Sequence, residues 1–113
     1  MASFRSDLDA LILGVLGQQG RMHGYEISRK IDTGSDGAVP IREGQLYPIL
    51  HRMENDGLIE AQWIPQEGKP SRKVYALTER GRGELIAKRA AWERFAAGIV
   101  SLLGEPGTEV SHG

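Results

Sequence analysis

A chain of 113 residues with a formal net charge of -1 and no cysteine is one domain with room for one small core. That size excludes a two-domain enzyme, a full dinucleotide-binding fold and a large barrel. The missing cysteine excludes a disulfide scaffold, a thiolate nucleophile and every cysteine-ligated zinc or iron–sulfur site, and it fits a reducing cytoplasm.

Hydrophobic residues make up 40% and charged residues 26%, a globular composition. Asp7 and Asp9 interrupt the N-terminus before any signal-peptide apolar run. No stretch approaches the roughly 18 apolar residues of a membrane span, so a cytoplasmic protein is expected. The charge is unevenly spread. Residues 1–68 hold 6 basic and 10 acidic side chains, residues 69–94 hold 8 and 3, and residues 95–113 hold 2 acidic ones and no basic one. The basic segment is either solvated helix surface or a face turned to an anion.

The first periodic segment runs from about Asp7 to Gly17, with Leu8, Leu11, Ile12, Val15 and Leu16 at helical spacing and Ser6 placed to cap it. A second helix starts near Gly24, carries Tyr25, Ile27 and Ile31, and ends at Lys30 or Asp32. The run Thr33–Gly37 is a loop by composition, and Val39-Pro40-Ile41 is read as a short edge strand because Pro40 cannot donate to a ladder. A third helix places Leu46, Ile49, Leu50 and Met53 on one apolar face. Pro48 is cheapest where the amide it lacks is an orphan, which puts the start at about Gly44. Asn55-Asp56-Gly57-Leu58 reads as a helix stop with Gly57 in the left-handed position.

Two strands follow, Leu58 to Pro65 and Arg72 to Leu77, joined through Gln66–Ser71 as a hairpin with an extended tip. Thr78 caps a final helix reaching Leu103, about 39 Å long. Leu85, Trp92 and Ile99 recur every seven residues, and Phe95 and Leu102 fill the intervening positions, where Lys88 is the polar exception. The tail after Gly104 has no periodicity and is expected to be disordered. The fold class is therefore mainly α with a small β-hairpin. It divides into a winged helix-turn-helix over residues 1–77, a dimerisation helix over 78–104 and a tail over 105–113.

Gly24-Tyr25-Glu26-Ile27 and the run Gly44-Gln45-Leu46-Tyr47-Pro48-Ile49-Leu50-His51-Arg52-Met53-Glu54 resemble the PadR-like transcriptional regulators. Gly57-Leu58-Ile59, the run Arg72–Thr78, and Trp92 with Phe95 extend the resemblance over roughly residues 8–103. Gln45 stands where the family often has Ser or Thr, and Val74 replaces a common aromatic. The single long helix after the wing is similar to the small branch of the family. The resemblance implies a winged-helix homodimer that binds double-stranded operator DNA, usually as a repressor.

Under that resemblance Gln45 faces the groove and pairs with a base edge, or is a solvated first-turn residue. Pro48 and His51 share the exposed side with Tyr47. Arg52 is also exposed, or pairs with Glu54 or Asp56. Tyr25 opens a helix whose amides favour phosphate. Lys69, Arg72 and Lys73 are the wing contacts, and Arg80 and Arg82 add to the basic stretch. Leu85, Trp92, Phe95, Ile99 and Leu102 form the dimer seam. Trp92 and Phe95 either pack the dimer or wall a site for a small aromatic effector, which the resemblance implies for some members. Two groove helices about one DNA turn, roughly 34 Å, apart would suit a pseudo-palindromic operator. His23, His51 and His112 are scattered, so no catalytic residue, metal site or cofactor is expected. The rival class is a winged-helix protein-interaction module without DNA binding.

Overall fold

The computed structural model describes residues 4–104. The expected tail and His112 lie outside the described residues. The order is α1 (Phe4–Gln19), β1 (Met22–His23), α2 (Gly24–Gly34), α3 (Glu43–Asn55), β2 (Ile59–Gln66), β3 (Lys69–Leu77) and α4 (Glu79–Leu103). This is the expected winged-helix order with a long final helix. Helix α1 already runs from Phe4, so Ser6 lies inside it and is not its cap.

The sheet has three strands in the order β1-β3-β2, all antiparallel. The third strand is not the expected one. Val39-Pro40-Ile41 forms no strand; Val39 and Ile41 pack against the core from a loop, and the Val39 amide is satisfied by Ser35 Oγ at 3.1 Å. Met22 and His23 take the edge instead, opposite Tyr75 and Val74. Burial of Met22 against the core supplies a reason that two residues of sequence cannot display.

One core unites the helices and the base of the wing. Ile12 and Leu13 of α1, Ile27 of α2, Leu46, Leu50 and Met53 of α3, and Ile59 of β2 are completely enclosed. Helix α3 ends as its residues predict. Gly57 adopts φ +78°, its amide donates to the Glu54 carbonyl at 3.1 Å, and the Leu58 amide donates to Met53 at 3.0 Å. That pair of bonds satisfies carbonyls the helix leaves open and turns Leu58 back onto it. The helix starts one residue earlier than expected, at Glu43, so Pro48 is its sixth residue. The bond its amide would have made is to the Gly44 carbonyl. Both residues are exposed, and water can serve that oxygen instead.

The hairpin is tighter at its end than expected. Gln66 pairs with Lys69, so the turn is Glu67-Gly68, and β3 already contains Lys69, Pro70 and Ser71; the register shifts between Ile64 and Gln66, where Pro65 of β2 stands against Pro70 and Ser71 of β3. Thr78 joins the wing to α4. Its Oγ accepts from the Gly81 amide at 3.0 Å and donates to the Gly57 carbonyl at 2.6 Å. Helix α4 then packs its first half on α1. A Cβ added to Gly17 would fall 2.7 Å from Leu85 Cδ2, so Leu85 packs, half-buried, against the chain's own core. Beyond it, Ile86, Trp92, Phe95, Ile99, Leu102 and Leu103 are exposed.

Candidate nucleic-acid interface

The wing's inner face is a ladder that runs outward from the core. Ile59 lies opposite Leu77, Ala61 opposite Tyr75, and Trp63 opposite Lys73. Leu77 and Tyr75 are buried, whereas Trp63 is 64% exposed. The last rungs overhang α3 and the start of α2. They enclose a concavity of about 670 Å³ lined by His23, Gly24, Tyr25, Tyr47, His51, Trp63, Arg72, Lys73 and Tyr75.

Each wall has a local cause. His23 is the N-cap of α2: its Nδ1 accepts from the Glu26 amide at 3.2 Å, and the Glu26 carboxylate accepts from the His23 amide at 3.3 Å. The imidazole therefore acts as a capping oxygen does in a capping box. Tyr25 lies between the His23 ring, 6.3 Å away and nearly parallel, and the Arg29 guanidinium, 5.7 Å from its centroid. Tyr47 leans across Gly24 so closely that a Cβ there would fall 2.7 Å from the tyrosine ring. The glycine lets an α3 side chain cover the N-terminus of α2.

The charges are less free than sequence spacing implied. Arg52 is not presented with Tyr47 and His51. It donates to Asp9 at 2.6 Å and lies 3.7 Å from Asp56, tying α3 to α1. The hydrogen bond that Arg52 donates to Asp9 is the main cause that raises the Arg52 pKa above its ordinary value. The expected Asp56 partner is present; Glu54 is not a partner of Arg52. Lys73 donates to Glu54 at 3.2 Å and stands 5.3 Å from the Tyr75 ring centroid and 6.0 Å from that of Trp63. Burial pulls the Lys73 pKa down, but the Glu54 hydrogen bond and the charges around it leave it raised. Gln45 is exposed, and its Oε1 accepts from the amide of Arg42, the residue before the first turn of α3, at 3.1 Å. Lys69 and Arg72 are exposed on the wing. Arg80 and Arg82 are exposed in the first turn of α4, apart from the wing strands.

The concavity thus brings together Tyr25, Tyr47, His51, Arg72 and Lys73. Gln45, Pro48 and Lys69 lie outside its lining, and Arg52 is turned to Asp9. Sequence reasoning missed His23, Gly24, Trp63 and Tyr75. For His23 the available signal was Glu26 three residues on; for Trp63 it was the register that a two-residue turn imposes. On α4, Trp92 and Phe95 meet edge to face at 5.5 Å, both about half exposed. Among the described residues no group of three or more His, Asp or Glu side chains could hold a metal ion, and no helix is long and apolar enough to cross a membrane.

The model of the transcriptional regulator PadR-like family matches residues 12–87. A transcriptional regulator of Mycobacterium tuberculosis is 34% identical over 75% of this chain and 65% of its own length. A PadR-like transcriptional regulator of Bacillus cereus superposes with a TM-score of 0.74 at 31% identity, over 87% of this chain and 92% of the other. The negative transcriptional regulator PadR of Bacillus subtilis is 31% identical over 66% of this chain but only 40% of its own length. The structure of Bacillus subtilis PadR in complex with operator DNA gives a TM-score of 0.64 at 25% identity, over 94% of this chain and 52% of that one. These are regulators of transcription and not enzymes. With the family model covering most of its winged-helix core, the chain belongs to the PadR-like family of transcriptional regulators.

Proposed function

We propose that this chain is a cytoplasmic repressor that binds a pseudo-palindromic operator as a homodimer. Residues 1–77 contact DNA and the helix in 78–104 pairs with a second copy. The observation that carries the reading is the concavity between α3 and the wing, where Tyr25, Tyr47, His51, Arg72 and Lys73 converge. In this reading the first half of α3 enters the major groove. Gln45 presents its NH2 to a base edge, and Pro48 and His51 follow on the same exposed side. The wing lies along the flanking backbone, with Lys69, Arg72 and Lys73 near phosphates. Arg52 acts indirectly, by fixing α3 to α1 through Asp9.

The dimer half of the proposal rests on Trp92, Phe95, Ile99 and Leu102, apolar side chains that the chain's own core leaves exposed. A planar aromatic effector would stack on Trp92 and Phe95 where the two copies of α4 meet. Saturable quenching of Trp92 emission in a Trp63→Phe background, lost in Trp92→Ala, tests that part.

Duplex binding measured against salt concentration tests the whole. Arg72→Ala and Lys69→Ala should weaken all duplexes alike and lower the salt slope by about one per lost phosphate contact. Gln45→Ala should cost about 1–3 kcal/mol on the preferred site and blur preference there. No salt-dependent affinity for any duplex would leave a protein-interaction module as the reading.

A further inference from the structure

Lys73 has two neighbours competing for one charge. On one side its ammonium lines the concavity together with Tyr47, His51 and Arg72. On the other it donates to the Glu54 carboxylate at 3.2 Å, and Glu54 is not part of the lining. Both side chains are about one-third exposed, so the pair is open enough to exchange partners yet held in one place. The Trp63 and Tyr75 rings fix that place, standing 6.0 and 5.3 Å from the nitrogen. Glu54 belongs to α3, one turn after His51, and Lys73 belongs to β3. The ion pair therefore closes the gap between the groove helix and the wing. An ammonium has three donors and can bond a carboxylate and a phosphate at once, but the two anions then repel across it.

We infer that Glu54 is an internal competitor for the phosphate site at Lys73. It offsets the wing's charge and weakens binding to the DNA backbone without touching the reading of bases. The inference rests on the proposed DNA-binding role. A mere strut between α3 and the wing has the opposite consequence, because loss of its charge would loosen Lys73 and weaken binding.

The test is the full-length Glu54→Gln variant, whose amide oxygen still accepts from Lys73, titrated with duplexes of random sequence and of the preferred site at several salt concentrations. Affinity for both should rise about two- to fivefold at low salt, and the salt dependence should steepen while the preference ratio stays constant. In a Lys73→Met background the same change should have little effect, because the contested cation is gone. Melting curves of all four proteins show that each is folded. Weaker or equal binding by Glu54→Gln overturns the inference while the wild type still binds duplex. A gain of the same size in Lys73→Met also overturns it, since Glu54 would then repel DNA by itself. A wild type that binds no duplex defeats the DNA-binding role first and this inference with it.

Discussion

Gly24 and Tyr47 form one unit although 23 positions separate them. The tyrosine ring occupies the space that a methyl group on Gly24 would need. Gly24→Ala should therefore push the ring off the start of α2. The expected outcome is weaker duplex binding at nearly unchanged stability, because the exposed ring can swing outward; a melting curve and a duplex titration check the two halves. Arg52 shows the reverse, an apparent surface cation that holds the interior together. Arg52→Met leaves the nearly buried Asp9 without its donor. The loss of a charged hydrogen bond should cost about 1.5–3 kcal/mol, read from urea unfolding. The nearby Asp56 was legible as a partner of Arg52 from spacing; Asp9, 43 residues away, was not.

Among the elements, the stop after α3 and the wing are most open to test. Gly57→Ala places a Cβ on a backbone at φ +78° and should cost about 1–2 kcal/mol, with Gly57→Asn closer to wild type. Unfolding curves of the two variants check the order. The wing also sets an alkaline limit. Burial raises the Tyr75 pKa, with Lys73 pulling the other way, and Lys73 itself is raised. Both groups thus hold their protons more tightly folded than unfolded. Their stabilisation is complete below about pH 10 and declines as pH climbs through the raised values. Melting temperature should fall above that pH, and Tyr75→Phe should make the fall shallower.

For the whole molecule the decisive question is what covers α4. Its first half is spent on α1, where Leu85 meets Gly17 and Gly14. Its second half carries Trp92, Phe95 and the nearly bare Leu102 into solvent. Truncation after Lys88 keeps Leu85 and removes that second half, so it should give a folded monomer. Light scattering and circular dichroism together check this; a truncated dimer would move the interface elsewhere. The change from side chains packed on α1 to side chains left exposed falls within one heptad pattern. Spacing alone does not show that Leu85 packs on α1.

What the sequence determined by itself was decided over short distances. The apolar face of α3, the turn at Gly57, the Thr78 cap, the hairpin and the long final helix each depend on side chains within a few positions of one another. Periodicity and backbone preference display these directly. The tertiary structure alone decided the partners. It put Met22 and His23 at the sheet edge in place of Val39-Pro40-Ile41, and it drew Arg52 to Asp9 and Lys73 to Glu54. It also brought Trp63 and Tyr75 into one concavity with Tyr47 and His51 of α3. The reason is physical: an ion pair or an edge strand is chosen by which surfaces the common core brings within reach. That choice depends on the packing of all the elements at once, so no local pattern records it.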